Sequence, residues 1–274
     1  MMPPWDPDFL ERSPMFEPLR LHGAAVIGSR WPTLDEMQRR LAAREPPLIS
    51  RGGARLSLVP QGRRAGAPEE KYEARIYLKG EIQVRRDNWH DLLNALVWLT
   101  FPQAKAALNE RHYRALLEQQ AAGALNRGPV QDALTLFDEG GVIVAARDRE
   151  LLRMLEDFAW KDLFWRNRAR VMAGMRFYLF GHALYEKALN PFTGVTGRGI
   201  LFEVDAEFFA ARLASQIARL DAMLAACLLD PGKWRSTREL APVPVLGVPG
   251  WCVDNAIESY YDNSDYFRTG RSRG

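Results

Sequence analysis

The stretch Trp89–Phe101, WHDLLNALVWLTF, constrains the fold more than any other part of this chain. On a helical wheel Trp89, Leu92, Leu93 and Leu96 share one face, and Val97, Trp98 and Phe101 fall on the others. After its first turn such a helix is apolar nearly all round, and a helix without a wet face is buried. The rest of the chain has to cover it. With 274 residues, 47% of them hydrophobic and 26% charged, the chain can bury a sizeable core, and disorder is not the expected state.

That helix also carries polar groups inward. His90 and Asn94 lie one turn apart and point the same way, toward the side of Val97 and Phe101. A buried polar side chain costs about 1–3 kcal/mol unless it is hydrogen-bonded. Both residues therefore need partners, in a core network or in a functional site. Asp91 has a simpler reading: with Asn88 as N-cap it sits at the third helical position, where it complements the helix dipole.

Around this helix the periodicities give a helix-dominated α+β domain, 1–274, with a small β-hairpin or sheet and buried central helices. TLDEMQRRLAAR, 33–44, reads as a short helix capped at Thr33 or Asp35. Residues 60–71 have loop composition and read as the most mobile segment. Tyr72, Ala74, Ile76 and Leu78 then alternate with polar residues up to Lys79-Gly80, and Ile82 and Val84 continue the period, which predicts a hairpin. Pro102 begins a helix to about 120, and Gly128-Pro129 opens another that ends at Gly140-Gly141. GVIVAA, 141–146, and GILFEV, 199–204, read as strands. Asp148 starts further helix, RVMAGMRFYLFGHALYEKALNP reads as one long buried helix, and 205–228 as an amphipathic one. The segment 241–268 opens with APVPVLGVPGW, extended and suited to a sheet edge or a polyproline segment rather than a central strand.

Charge and cysteine content narrow the surroundings. The net charge is +3, and the pI is near 8.9. The lysines are Lys71, Lys79, Lys105, Lys161, Lys187 and Lys233, so the bias is almost all arginine, as a GC-rich genome produces. Cys227 and Cys252 show no CxxC spacing and read as reduced thiols. MMPPWDPDFLERSP has charge and proline where a signal peptide has an apolar run, and no segment holds ~18 uninterrupted apolar residues. The expected location is cytoplasmic, without a membrane span.

Four further constellations carry chemistry. Lys105, Asn109 and His112 share one face of the second helix, which a solvated face explains as well as a site does. In FGHALYEK, His182 and Glu186 stand one helical turn apart, able to meet one metal or one another. Gly174 and Gly181 each cost about 1 kcal/mol inside a helix, which points to close approach of another element beside His182. Asp138 and Glu139 stand at the negative end of their helix, which points to a nearby cation or Arg, or else to plain surface acids. WRNRAR, 165–170, interleaves an aromatic with Arg166, Arg168 and Arg170 and reads as an anion clamp or a salt-bridged face. GxGxxG, P-loop, GxSxG, HExxH, zinc-finger and helix-turn-helix patterns are absent.

The blocks YEARIYLKGEIQVRRDNWHDLLNALVWLTFPQAKAALN, DALTLFDEGG, FGHALYEK and PVPVLGVPGW…YYDNSDYFR occur in an order that resembles an uncharacterised bacterial family, domain of unknown function 3025. The resemblance spans about residues 10–268. It implies one full-length domain in a cytosolic bacterial protein and transfers no functional residue.

From the residues themselves the first expectation is a metal-assisted hydrolase or transferase acting on a small anionic substrate. His90, His182 and Glu186 would bind a divalent metal or form an acid–base set. Asn94 would orient one of them and Asp138 would add a carboxylate. Arg166, Arg168, Arg170 and Lys105 would hold the substrate's charge. The alternative is a non-catalytic protein that contacts nucleic acid or another anionic partner through 160–170 and Arg63/Arg64.

Overall fold

The structure, a computed structural model, describes residues 3–25, 27–62, 70–124 and 126–270; Arg63, Arg64 and most of the 60–71 loop lie outside them. Its helices are α1 (Glu17–Gly23), α2 (Leu34–Ala42), α3 (Tyr72–Lys79), α4 (Trp89–Thr100), α5 (Pro102–Ala121) and α6 (Pro129–Gly140). They continue with α7 (Arg149–Glu156), α8 (Arg168–Gly174), α9 (His182–Ala188), α10 (Ala206–Ala210) and α11 (Leu213–Leu229). The strands are β1 (Ser57–Pro60), β2 (Glu81–Val84), β3 (Gly141–Ala146), β4 (Met175–Leu179), β5 (Thr196–Glu203) and β6 (Ala241–Pro244). The fold is α+β.

The main sheet has the order β4-β3-β5-β6. Every residue of β3 is buried, as expected of an apolar run with cover on both faces. β3 pairs antiparallel with β4 and parallel with β5, so the chain between β3 and β5 crosses over through α7, α8, β4 and α9. Proline-bearing β6 takes the edge beside β5. One hydrophobic cluster runs from Phe9 to Phe267. Within it α4 is enclosed as its sequence requires, with Leu96 and Val97 inaccessible and Trp89 stacked on Trp5. Among the described residues, no helix is long and apolar enough to cross a membrane.

Two sequence expectations fail here. Residues 72–79 form α3, and no hairpin exists: β2 pairs in parallel with β1. The period-two reading missed that Tyr72 and Ile76 are also one helical turn apart and that Glu73, Ala74, Arg75, Leu78 and Lys79 favour helix. Gly80 ends the helix in the left-handed region, φ 72°. A Cβ there would meet the Arg55 carbonyl oxygen at 2.1 Å, so the glycine also admits the neighbouring backbone.

The long helix expected over RVMAGMRFYLFGHALYEKALNP is three elements, α8, β4 and α9. A fully buried strand has no wet face to give it a period, and it cannot be told from a buried helix by periodicity alone. The flanking Gly174 and Gly181 mark the breaks. A Cβ on Gly181 would meet the Glu139 carbonyl oxygen and the Gly141 nitrogen, each at 2.4 Å. Gly174 has no such close neighbour.

Candidate functional site

The sheet register builds the site. Val142 pairs with Leu179, so the start of β3 and the end of β4 lie side by side. α6 leads into β3 and α9 follows β4, which places the C-terminus of α6 against the N-terminus of α9. Phe180 and Gly181 both donate their backbone N–H to the Gly141 carbonyl, at 2.9 Å. Asp138 and His182 meet across this junction. α4 packs on α9 and adds His90, and α5 packs beside α6 and adds Lys105.

The side chains stand in one row from Glu186 to Lys105. Glu186 Oε2 lies 3.1 Å from His90 Nδ1, and His90 Nε2 lies 2.9 Å from His182 Nε2. His182 Nδ1 faces Asp138 Oδ2 at 3.8 Å without a hydrogen bond. The Lys105 ammonium donates to the other Asp138 oxygen and lies 5.4 Å from the Trp98 ring centroid. Lys105 is thus the cation that the acidic end of α6 calls for.

Electrostatics sort these groups. Burial lowers the pKa of His182 to about 4; the Asp138 carboxylate opposes the shift, and Lys105 and His90 reinforce it. His182 is therefore neutral at physiological pH. Burial pushes the Asp138 carboxyl up, but Lys105 and His182 outweigh it and hold the group below the ordinary carboxylate range. A negative Asp138 thus faces a neutral imidazole.

Counting protons shows what the pair can do. In one arrangement His90 Nδ1–H donates to Glu186 and His182 Nε2–H donates to a bare His90 Nε2. In the other, His90 carries both protons and donates to Glu186 and to His182 Nε2, while the His182 proton sits on Nδ1 facing Asp138. The second holds one proton more than the first, and no heavy atom moves between them.

The dyad opens on a groove of about 700 Å³. The chain has four histidines. Three of them, His90, His112 and His182, line this groove. Its floor is one face of α5 (His112, Leu116, Gln119) and one face of α6 (Gln131, Thr135, Asp138), at the spacings of successive helical turns.

The structure relocates several candidates. His90 lies between His182 and Glu186, which do not touch through one turn of α9 as their spacing suggested. The three do not converge as ligands of one ion: Glu186 and His182 sit on different ring nitrogens of His90, which point apart. Among the described residues no group of three or more His, Cys, Asp or Glu is arranged to hold a metal. Asn94 donates to the Tyr72 hydroxyl at 2.8 Å and orients no imidazole.

Lys105, Asn109 and His112 are buried, not solvated, at 3%, 2% and 8% exposure. Asn109 donates to the Glu73 backbone carbonyl and carboxylate. Asn88 caps α4 through the Asp91 N–H, but the Asp91 carboxylate turns to Arg85, accepting from its backbone and its guanidinium.

The arginines of WRNRAR are not among the groove residues. Arg166 pairs with Asp162, Arg170 with Asp148 and Glu150, and Arg168 donates to the Asn255 carbonyl at 2.9 Å. Sequence reasoning missed Tyr72, Glu73 and Arg127, which line the groove. The first two were hidden by the hairpin reading, and Arg127 gave no signal in a short loop.

These features define an α+β protein with a histidine dyad at the head of a polar groove. The chain belongs to the family described as Protein of unknown function (DUF3025), which matches residues 56–271. No curated protein and no solved structure shows significant similarity to it.

Proposed function

We propose that the protein is a hydrolase or transferase that acts on a small anionic substrate in the groove, with His90 as its general acid–base group. The observation that supports this most is the hydrogen-bonded chain Glu186–His90–His182 opening on a cavity of about 700 Å³. A carboxylate on the far nitrogen of an imidazole fixes the ring's orientation. Glu186 does this for His90, and neutral His182 accepts the second proton's hydrogen bond. Asp138 and Lys105 act behind His182 as positioning residues.

Among the described residues a metal-assisted form of the reaction lacks a third protein ligand, since Glu186 and His182 sit on opposite nitrogens of His90. The nucleic-acid alternative loses support because Arg166 and Arg170 are already paired with carboxylates and Arg168 is bonded to backbone. The test is hydrolysis of p-nitrophenyl phosphate, p-nitrophenyl acetate and an N-acyl p-nitroanilide, in chelator and with added Zn²⁺, Mn²⁺ or Mg²⁺. We expect turnover in chelator that His90→Gln lowers by about 100-fold or more with the fold intact. Turnover only with added metal returns the reaction to metal chemistry, and turnover indifferent to His90 removes the proposal.

A further inference from the structure

A second cavity, of about 900 Å³, shares no lining residue with the histidine groove. It lies where α1, the segment 44–51, the α4–α5 junction and one side of α11 meet. Its walls are mainly aliphatic, with Leu21, Leu48, Ala106, Ile217 and Ala218 beside an Ile49 that is 58% exposed. A ligand seated there would take that aliphatic surface out of water. The volume suits a small molecule.

Charge lining this cavity is compensated at all but one group. Among the described residues Asp221 is its one carboxylate. Its two oxygens accept the backbone N–H groups of Gln103 and Ala104, at 3.0 and 2.7 Å, and burial raises its pKa to about 6 against them. Arg51 is paired with Glu110. Burial, and then the charges of Arg44 and Arg40, lower the His22 pKa to about 4, so His22 is neutral at physiological pH. Arg44 is the exception. Among the described residues its guanidinium has no hydrogen bond and no carboxylate in contact, and its Nε is buried without an acceptor. A buried N–H left in that state costs about 1–3 kcal/mol, and a carboxylate is the acceptor whose two oxygens match the guanidinium fork.

We infer that this cavity binds an amphipathic monocarboxylate, with the carboxylate on Arg44 and an aliphatic chain along Leu48, Ile49, Ala106 and Ile217. Two independent features select that chemistry. The apolar walls favour a chain over a sugar or a nucleotide, and the unpaired guanidinium favours an acid over an alcohol or an amine. The inference stands apart from the acid–base reading of the groove, because the two cavities share no residue and binding here requires no reaction.

The experiment is a calorimetric titration of the full chain with octanoate, and separately with butyrate, 1-octanol and octylammonium. The Arg44 Nε–H and the Ile49 methyl groups are followed by NMR. We expect saturable binding of one octanoate, with shifts at both residues, and binding of butyrate and octylammonium weaker by about tenfold or more. Arg44→Met should weaken octanoate about tenfold, or about 1.4 kcal/mol, and remove its advantage over 1-octanol. Because the guanidinium bonds to nothing among the described residues, this variant should melt with the parent. Ile49→Ser, at an exposed position, should weaken octanoate and 1-octanol alike. Absence of saturable octanoate binding, an affinity indifferent to Arg44→Met, or equal binding of octylammonium overturns the inference. So does a dimer that Ile49→Ser dissociates and that takes up no octanoate, which would give this face to a second copy of the chain.

Discussion

Lys105→Met is the most informative single perturbation. The Lys105 side chain is 4% exposed and that of its partner Asp138 is 14% exposed, so the substitution strands a carboxylate away from water. Breaking one half of a buried pair costs about 3–5 kcal/mol, a large share of the 5–15 kcal/mol that holds a domain together. Methionine keeps a stem of similar length and removes only the ammonium, from Asp138 and from the face of Trp98 alike, so the loss reports charge more than packing. The sign with pH follows from Asp138. In the parent its pKa is held below the ordinary value by Lys105 and His182 against burial, so it stabilises the fold above that value. Without Lys105, burial dominates and the folded-state pKa rises above the unfolded one. The penalty is then full at high pH and shrinks as pH falls through the raised pKa. Urea melts of parent and variant should differ by several kcal/mol at pH 8 and clearly less at pH 5. The double variant Lys105→Met/Asp138→Asn should regain much of the loss at pH 8 because no buried charge remains. A gap below about 1 kcal/mol at pH 8, or one that does not narrow with acid, would show that the pair is solvated and that our electrostatic account of the site is wrong.

Three further outcomes follow from the same structure. His182 is lowered to about 4 by burial in the folded state. It therefore stabilises fully above its unfolded value near 6.5, and that stability is lost as pH falls through 6.5 toward 4. The parent should lose roughly 3 kcal/mol more than His182→Gln across that window in calorimetry; parallel curves would contradict the burial. Gly181→Ala should destabilise by about 3 kcal/mol, the upper end for overpacking, because its Cβ meets backbone atoms that cannot swing away; a chemical melt checks it. Asn255 is 0% exposed, and its amide donates to the carbonyls of Leu246 and Val248, at 2.9 and 2.7 Å. Asn255→Ala leaves the Leu246 carbonyl unpaired in the interior, while the Val248 carbonyl keeps the Trp251 N–H, and should cost about 1–3 kcal/mol by equilibrium unfolding.

Much of the architecture was legible because it rests on local signals. Thr33 caps α2 in a capping box with Glu36, Asn88 caps α4, and Pro102 and Pro129 stand at the first positions of α5 and α6. GVIVAA is a strand because its apolar run is short, rich in β-branched residues, and bounded by Gly140-Gly141 before it and Arg147-Asp148 after it. The errors share one cause. Over Tyr72–Lys79 and Met175–Leu179 several periods fit the same few residues, and the arbiter is what packs on the other side. For α3 that is α5, and for β4 it is β3. The sequence of either segment taken alone does not contain that neighbour.

The site shows the same division at the level of side chains. That His90 and His182 needed partners followed from burial and the cost of an unpaired polar group. Which partner each would take depended on sheet register, because only the pairing of Val142 with Leu179 brings α6 to the start of α9. Helical spacing joined His182 to Glu186 within one helix. The fold instead inserts His90 from α4 between them, so that one imidazole touches both. That insertion changes the chemistry available. Two ligands side by side on a helix suit an ion, whereas an imidazole held at both nitrogens suits a proton. The face of α5 tells the matching story: Lys105, Asn109 and His112 look like a solvated stripe until α3 and α6 close over it. Two of the three then find their acceptors in Asp138 and Glu73. The third, His112, lines the groove and has no hydrogen-bond partner among the described residues.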